Sequence, residues 1–176
     1  MSRITQEEFN QLLATFEHNA FRLEAQPAYV LGYEQADFDR FLAGVRVPPP
    51  DLGWWRPWLE QVSQLAREGK TMGRVRVVDE PPTEYQRWML WAAPWNVQAG
   101  EDIRYMPRSR AVRIGLPLDY DWWLLDDERL IVMRYTAAGE IDTKELITDP
   151  GVIARHQGWR DLAVRNATPA EEIAAA

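Results

Sequence analysis

Apolar residues near the start recur at helical spacing, at Phe9, Leu12, Leu13 and Phe16. Thr5 is placed to cap that helix and Glu8 to complete a capping box. From Ala20 the period changes. Phe21 and Leu23 alternate with Arg22 and Glu24, which predicts a short strand. Pro27 and Gly32 bracket a loop. Tyr33 to Ala43 returns to helical spacing through Phe38, Phe41 and Leu42, and Gly44 stops it. Val47-Pro48-Pro49-Pro50 reads as a stiff connector. The next helix carries Trp54, Trp55, Trp58, Leu59, Val62 and Leu65, with Pro57 tolerated in its first turn.

Gly73 to Val78 alternates as a strand, ended by Asp79-Glu80-Pro81-Pro82. Thr83 caps a helix bearing Tyr85, Trp88, Met89 and Trp91, which Pro94 is expected to end or kink. Glu101 to Met106 is extended, and Ser109 to Leu118 reads as a short helical turn and a loop. Trp122-Trp123-Leu124-Leu125 predicts a strand covered on both faces. Asp126-Asp127-Glu128 turns it into a partner at Leu130 to Tyr135, and Ile141 to Thr148 makes a third strand. Asp149-Pro150 opens a last helix carrying Val152, Ile153, His156, Trp159 and Leu162.

These elements predict an α+β fold with a mixed sheet. N-terminal helices come first, then strand–helix–strand, a three-strand antiparallel meander and a C-terminal helix. The chain reads as a single domain over 1–176. It has a mainly helical part at 1–70, an α+β core at 71–166 and a frayed tail at 167–176. Val47 to Gly53 is the best hinge.

Composition narrows the chemistry. The absence of cysteine removes disulfides, thiol catalysis and Cys-based zinc sites, and fits a cytoplasmic protein. Two histidines make a His-rich metal site improbable, and neither a metal nor a cofactor is expected. No segment looks like a membrane span or a signal peptide. A net charge of −7 argues against broad binding to nucleic-acid backbones. Nine tryptophans suit a dense core, an aromatic pocket or an interface.

No Walker loop, GxGxxG, GxSxG, HExxH or EF-hand pattern is present. Three groupings remain. Glu17 and His18 with Arg22 and Glu24 join carboxylate, imidazole and guanidinium, the ingredients of acid–base work. A helix end at His18 and a surface ion pair between Arg22 and Glu24 are the simpler account. Arg74 and Arg76 share a strand face, with Glu80 at the strand end, Arg104 on the next strand, and Tyr85, Arg87 and Trp88 between. Arginine forks there would clamp an anionic group, and cross-strand ion pairing is the alternative. Asp119, Asp121, Asp126 and Asp127 surround Trp122 and Trp123, but aspartates in a hairpin turn have a local explanation.

The segments FEHNAFRLE (16–24), RVRVVDEPPTEY (74–85), NVQAGEDIRYMPR (96–108), DWWLLDDERL (121–130) and ARHQGWRDLA (154–163) carry a resemblance covering most of the chain. The chain resembles an uncharacterised actinobacterial domain family that often neighbours helix-turn-helix regulators. That neighbourhood implies a regulatory or signalling role. Strand, helix, strand and an apolar strand ending in Asp-Asp also look like a phospholipase-D-like domain. In that superfamily a His-x-Lys-x4-Asp signature supplies the nucleophile. With its aspartate at Asp126, Asp119 and Asp121 stand where histidine and lysine belong. The resemblance therefore implies a degenerate version without that phosphodiester chemistry.

The sequence thus favours a cytosolic, non-enzymatic regulatory module that binds a small anionic ligand or a partner protein. The expected ligand residues are Arg22, Arg74, Arg76, Glu80, Tyr85, Trp88, Arg104 and Trp123. The alternative is an enzyme of specialised metabolism that uses Glu17, His18 or Glu80 as acid or base in the same aromatic-lined pocket.

Overall fold

A computed structural model describes residues 1–174; Ala175 and Ala176, the end of the expected frayed tail, lie outside the described residues. Eight strands form one mixed sheet. They are β1 (Ser2–Arg3), β2 (Asn19–Glu24), β3 (Thr71–Val78), β4 (Glu101–Pro107), β5 (Asp121–Leu125), β6 (Arg129–Tyr135), β7 (Ile141–Ile147) and β8 (Thr168–Pro169). Their order across the sheet is β1-β7-β6-β5-β2-β3-β4-β8. β2, β3 and β4 run parallel, and every other pairing is antiparallel.

Seven helices surround the sheet: α1 (Gln6–Thr15), α2 (Gln35–Leu42), α3 (Arg56–Arg67), α4 (Glu84–Ala99), α5 (Arg108–Arg113), α6 (Pro150–Asn166) and α7 (Ala170–Ala174). Their starts follow local chemistry. Thr5 and Thr83 each form a complete capping box, and the Asp149 carboxylate accepts from the Val152 N–H. Pro57 sits in the first turn of α3, where its missing N–H costs nothing.

Alternation along the strands divides the molecule. Phe21, Leu23, Val75, Val77, Trp122 and Leu124 point to one face, where α5 and α6 cover them through Ala111, Ile153 and Ala163. Ala20, Met72, Trp123, Leu125, Ile131 and Met133 point to the other, beneath Phe9 and Leu13 of α1 and Val62 and Leu65 of α3. Trp122 and Trp123 therefore belong to different cores. A further aromatic cluster joins α2, α3 and α4 through Phe41, Trp55, Tyr85 and Trp88.

Several elements depart from the sequence reading. α4 runs through Pro94 to Ala99. Pro94 is on the exposed side of that helix, where water can bond the carbonyl its ring leaves unpartnered. Trp54 precedes α3 instead of riding on it, and its indole N–H bonds the Asp37 carboxylate at 2.8 Å. The mainly helical stretch 1–70 is built into the sheet, because its strand β2 lies at the sheet's centre. Where a frayed end was expected, Thr168–Pro169 adds an edge strand to β4, and Ala170 is buried.

Candidate functional site

The face beneath α1 and α3 is apolar at one end and charged at the other. Register places Arg22 beside Trp123 on one side and beside Arg74 on the other. One step along, Glu24 lies beside Arg76, which lies beside Tyr105. Period-2 alternation thus brings three arginines, from two parallel strands, onto one face. Asp121 at the start of β5 and Glu101 at the start of β4 complete the group.

Glu24 is the hub. Its Oε1 is 2.9 Å from Nη1 of both Arg22 and Arg74, and its Oε2 accepts from Arg76 Nε at 2.5 Å. Arg74 Nε also donates to Glu101, whose second oxygen accepts from Asn96 on α4 at 2.8 Å. Arg22 Nη2 reaches Asp121 at 3.0 Å, and Asp121 also accepts from Tyr29 Oη at 2.6 Å and the Ala25 N–H at 2.8 Å. Three guanidinium charges therefore meet three carboxylates. Burial alone would raise the pKa of Glu24, but Arg22, Arg76 and Arg74 outweigh it and hold the carboxyl well below its usual range. Burial wins at Asp121, whose pKa is raised despite Arg22 and the Ala25 N–H.

Above this floor opens a cleft of about 820 Å³, within the range of small-molecule sites. Its walls include Trp54, Trp55, Trp58, Tyr29, Tyr33 and Tyr85, and Lys144 also lines it. Three side chains keep unused bonding capacity there. Nη2 of Arg74 and of Arg76 makes no bond within the described residues, and neither atom is enclosed by protein. Glu34 is 5% exposed, and its Oε1 accepts from Tyr85 Oη at 2.9 Å while Oε2 has no partner. Burial pushes its pKa up to about 7; the Tyr85 bond opposes this and the Glu24 charge adds to it.

The structure brings Arg22, Arg74, Arg76, Tyr85 and Trp123 together at the cleft. It does not bring the other expected residues there. Arg104 faces away on β4 and pairs with Asp102 at 3.0 Å. Trp88 is enclosed in the helical aromatic cluster, packed on Phe38 and Trp55. Glu80 is exposed and accepts from Ser109 Oγ at 2.6 Å.

Glu17 and His18 are exposed ahead of β2, at the opposite end of the parallel strands from Glu80. At ~3.3 Å per residue, the length of β3 puts roughly 20 Å between them. The proposed acid–base partners therefore do not share a site.

Glu24, Glu101, Asp121, Glu34 and Tyr29 complete the site; Glu24 and Asp121 stood in the candidate groupings of the sequence, but none of the five was among the expected ligand residues. Asp121 carries a sequence signal, a charge at the head of an otherwise apolar strand, whereas Glu24 alternates with Phe21 and Leu23 as a solvent-facing charge would. Glu34 carries none, because an acid just ahead of a helix looks like an ordinary solvated helix start.

The aspartates near β5 separate into distinct roles. Asp119 is exposed and Asp121 is in the buried network. Asp126 accepts from the backbone N–H groups of Glu17, His18 and Asn19, at 3.0, 2.7 and 3.2 Å, and from Arg129. Its carboxylate ties the hairpin to the entry of β2. Among the described residues no cluster of three or more His, Cys, Asp or Glu is arranged to hold a metal ion. No helix there is long and apolar enough to cross a membrane.

The fold is similar to that of solved phospholipase-D-like proteins. NucT from Helicobacter pylori superposes with a TM-score of 0.51 at 8% identity, covering 93% of this chain and 91% of that one. Nuc from Salmonella typhimurium, a phospholipase D family member, gives 0.53 at 10% identity, covering 90% and 86%. No curated protein matches the sequence. A family model described as a domain of unknown function, DUF6879, matches residues 7–175, and the chain belongs to that family.

Proposed function

We propose that the chain is a non-enzymatic regulatory module that binds a small molecule in the aromatic cleft. The observation that carries this is the pair of free Nη2 groups on Arg74 and Arg76, held in place by Glu101 and Glu24. Each guanidinium is fixed by a carboxylate, keeps an unbonded nitrogen, and belongs to a residue that lines the cleft. An oxygen-rich ligand group would dock there without ordering the side chains first, which removes an entropic cost of binding. The lining contains no Ser, Thr, Cys or His, so it offers few nucleophiles. A regulatory role follows from the resemblance to an actinobacterial family found beside helix-turn-helix regulators.

A thermal-shift screen against small carboxylates and phosphates tests the reading. A ligand at a hundred times its Kd should raise the melting temperature by roughly 5–10 °C. Arg76→Lys keeps the charge and removes the fork, and should weaken such hits about tenfold. If Arg74→Lys and Arg76→Lys both leave every hit unchanged, the arginine end is not used.

One observation favours the enzyme reading instead. Glu34 lines the cleft with a pKa near neutrality, the range suited to a general acid or base. In that case Glu34, and not Glu17, His18 or Glu80, is the group to test. Turnover lost in Glu34→Gln with substrate affinity retained would mark it as catalytic.

A further inference from the structure

We propose that Glu34 forms a cation subsite, and that the molecule bound in the cleft carries an amine on or near an aromatic ring. This rests on the small-molecule reading above and names the chemistry of one end of the ligand. The floor carboxylates set the contrast. Glu24, Glu101 and Asp121 each face at least one arginine within 3.0 Å. Glu34 is as buried as they are, yet it makes no ion pair with any Lys, Arg or His of the described residues. Its one side-chain hydrogen bond is from the Tyr85 hydroxyl, and Oε2 is left for something else.

The surroundings suit a cation. Tyr29 stands edge-on to Tyr85 at 5.6 Å, Tyr33 stacks obliquely on Trp54 at 5.3 Å, and Trp54 lies on Trp55 at 4.8 Å. All five line the same cleft as Glu34. Aromatic faces attract an ammonium group through their quadrupoles, most strongly where water is scarce.

The charged and titratable groups around Glu34 are Glu24 and Arg22 from β2, Arg76 from β3, Tyr85 from α4 and the neighbouring Tyr33. Both arginines are already committed to Glu24. An arriving ammonium would supply the partner the fold leaves out. It would also drive off the proton that burial keeps on Glu34, so binding below neutrality should release protons.

The test uses three probes of one shape: 2-phenylethylamine, 2-phenylethanol and 3-phenylpropionate. Titration calorimetry at pH 6.5 in two buffers of different ionisation heat reads affinity and proton release together. The amine should bind at least about tenfold tighter than the alcohol, the scale of one charge-assisted bond. It should release about three-quarters of a proton, the share that a group with a pKa of about 7 still holds at pH 6.5.

Glu34→Gln should erase both the preference and the proton release, bringing the amine down to the affinity of the alcohol. Glu34→Asp, which keeps the charge on a shorter arm, should retain part of the preference. Equal affinity for amine and alcohol overturns the proposal, as does tighter binding of the propionate. So does amine binding that Glu34→Gln leaves intact, or no binding by any probe. These failures would leave the arginine end of the cleft standing on its own screen.

Discussion

Glu24 pairs with three arginines and is 7% exposed, so its removal is felt through all of them. Glu24→Gln leaves three buried guanidinium groups facing two carboxylates. Breaking a buried charge network from one side costs about 3–5 kcal/mol, and urea unfolding should show a loss of that order.

The pH dependence of stability follows from the same network. Glu24 is depressed in the fold, so its contribution is present above the unfolded carboxyl range and is lost on acidification below it. Glu34 is raised to about 7, so its contribution is complete below pH 4.5 and is lost as pH rises toward 7. Asp121, also raised, acts in the same direction as Glu34. Stability should therefore peak near pH 5 and fall by on the order of 2 kcal/mol by pH 8. Urea midpoints measured across that range check this, and Glu34→Gln should flatten the alkaline limb.

At the scale of elements, the β5–β6 hairpin shows how one side chain fixes a junction. Asp126 and Asp127 both adopt positive φ, at 54° and 58°, and Glu128 N–H closes the turn on Leu125 O at 3.0 Å. Aspartate tolerates that conformation better than most residues, and the turn suits the twist of the strands. Asp126→Ala would remove the acceptor for three backbone N–H groups and for Arg129. A loss of about 2–3 kcal/mol in chemical denaturation is expected, with Asp126→Asn much milder.

Elements of this kind were legible in the sequence. Thr5, Thr83 and Asp149 announced helix starts, and Asp126-Asp127 announced a turn. Less legible was whatever depended on neighbours distant in sequence. Pro94 is tolerated because tertiary packing turns it toward solvent. Arg104 and Arg74 look alike in a strand pattern, yet alternation sends one outward to Asp102 and the other inward to Glu101. Trp88 was grouped with the ligand residues because it adjoins Tyr85. The two do touch, edge-on at 5.8 Å, as residues three apart on a helix must, but the Trp88 ring is enclosed among Phe38, Trp54 and Trp55 while Tyr85 reaches the cleft.

At the scale of the whole molecule, one sheet carries two different faces. The α5–α6 side is a conventional apolar core. The α1–α3 side gives up part of its core area to a charged floor and an open cleft. Two tryptophans adjacent in sequence serve both, Trp122 against His156 and Trp123 against Trp58. Trp122→Ala should therefore act on the core alone, costing about 3–5 kcal/mol. Trp123→Phe should cost far less, and the change should be visible in probe binding as well as in melting temperature.

The position of β2 also sets the order of assembly. Its neighbours are β3 on one side and β5 on the other, and β5 comes only after Tyr120 in the chain. During synthesis the strand at the middle of the sheet is made early and stays half-paired until most of the protein has emerged. Long-range pairing of this kind makes folding slow and leaves apolar edges exposed on the way. A nascent chain halted at Leu118 should be protease-sensitive throughout, including the stretch that later becomes its best-protected strand.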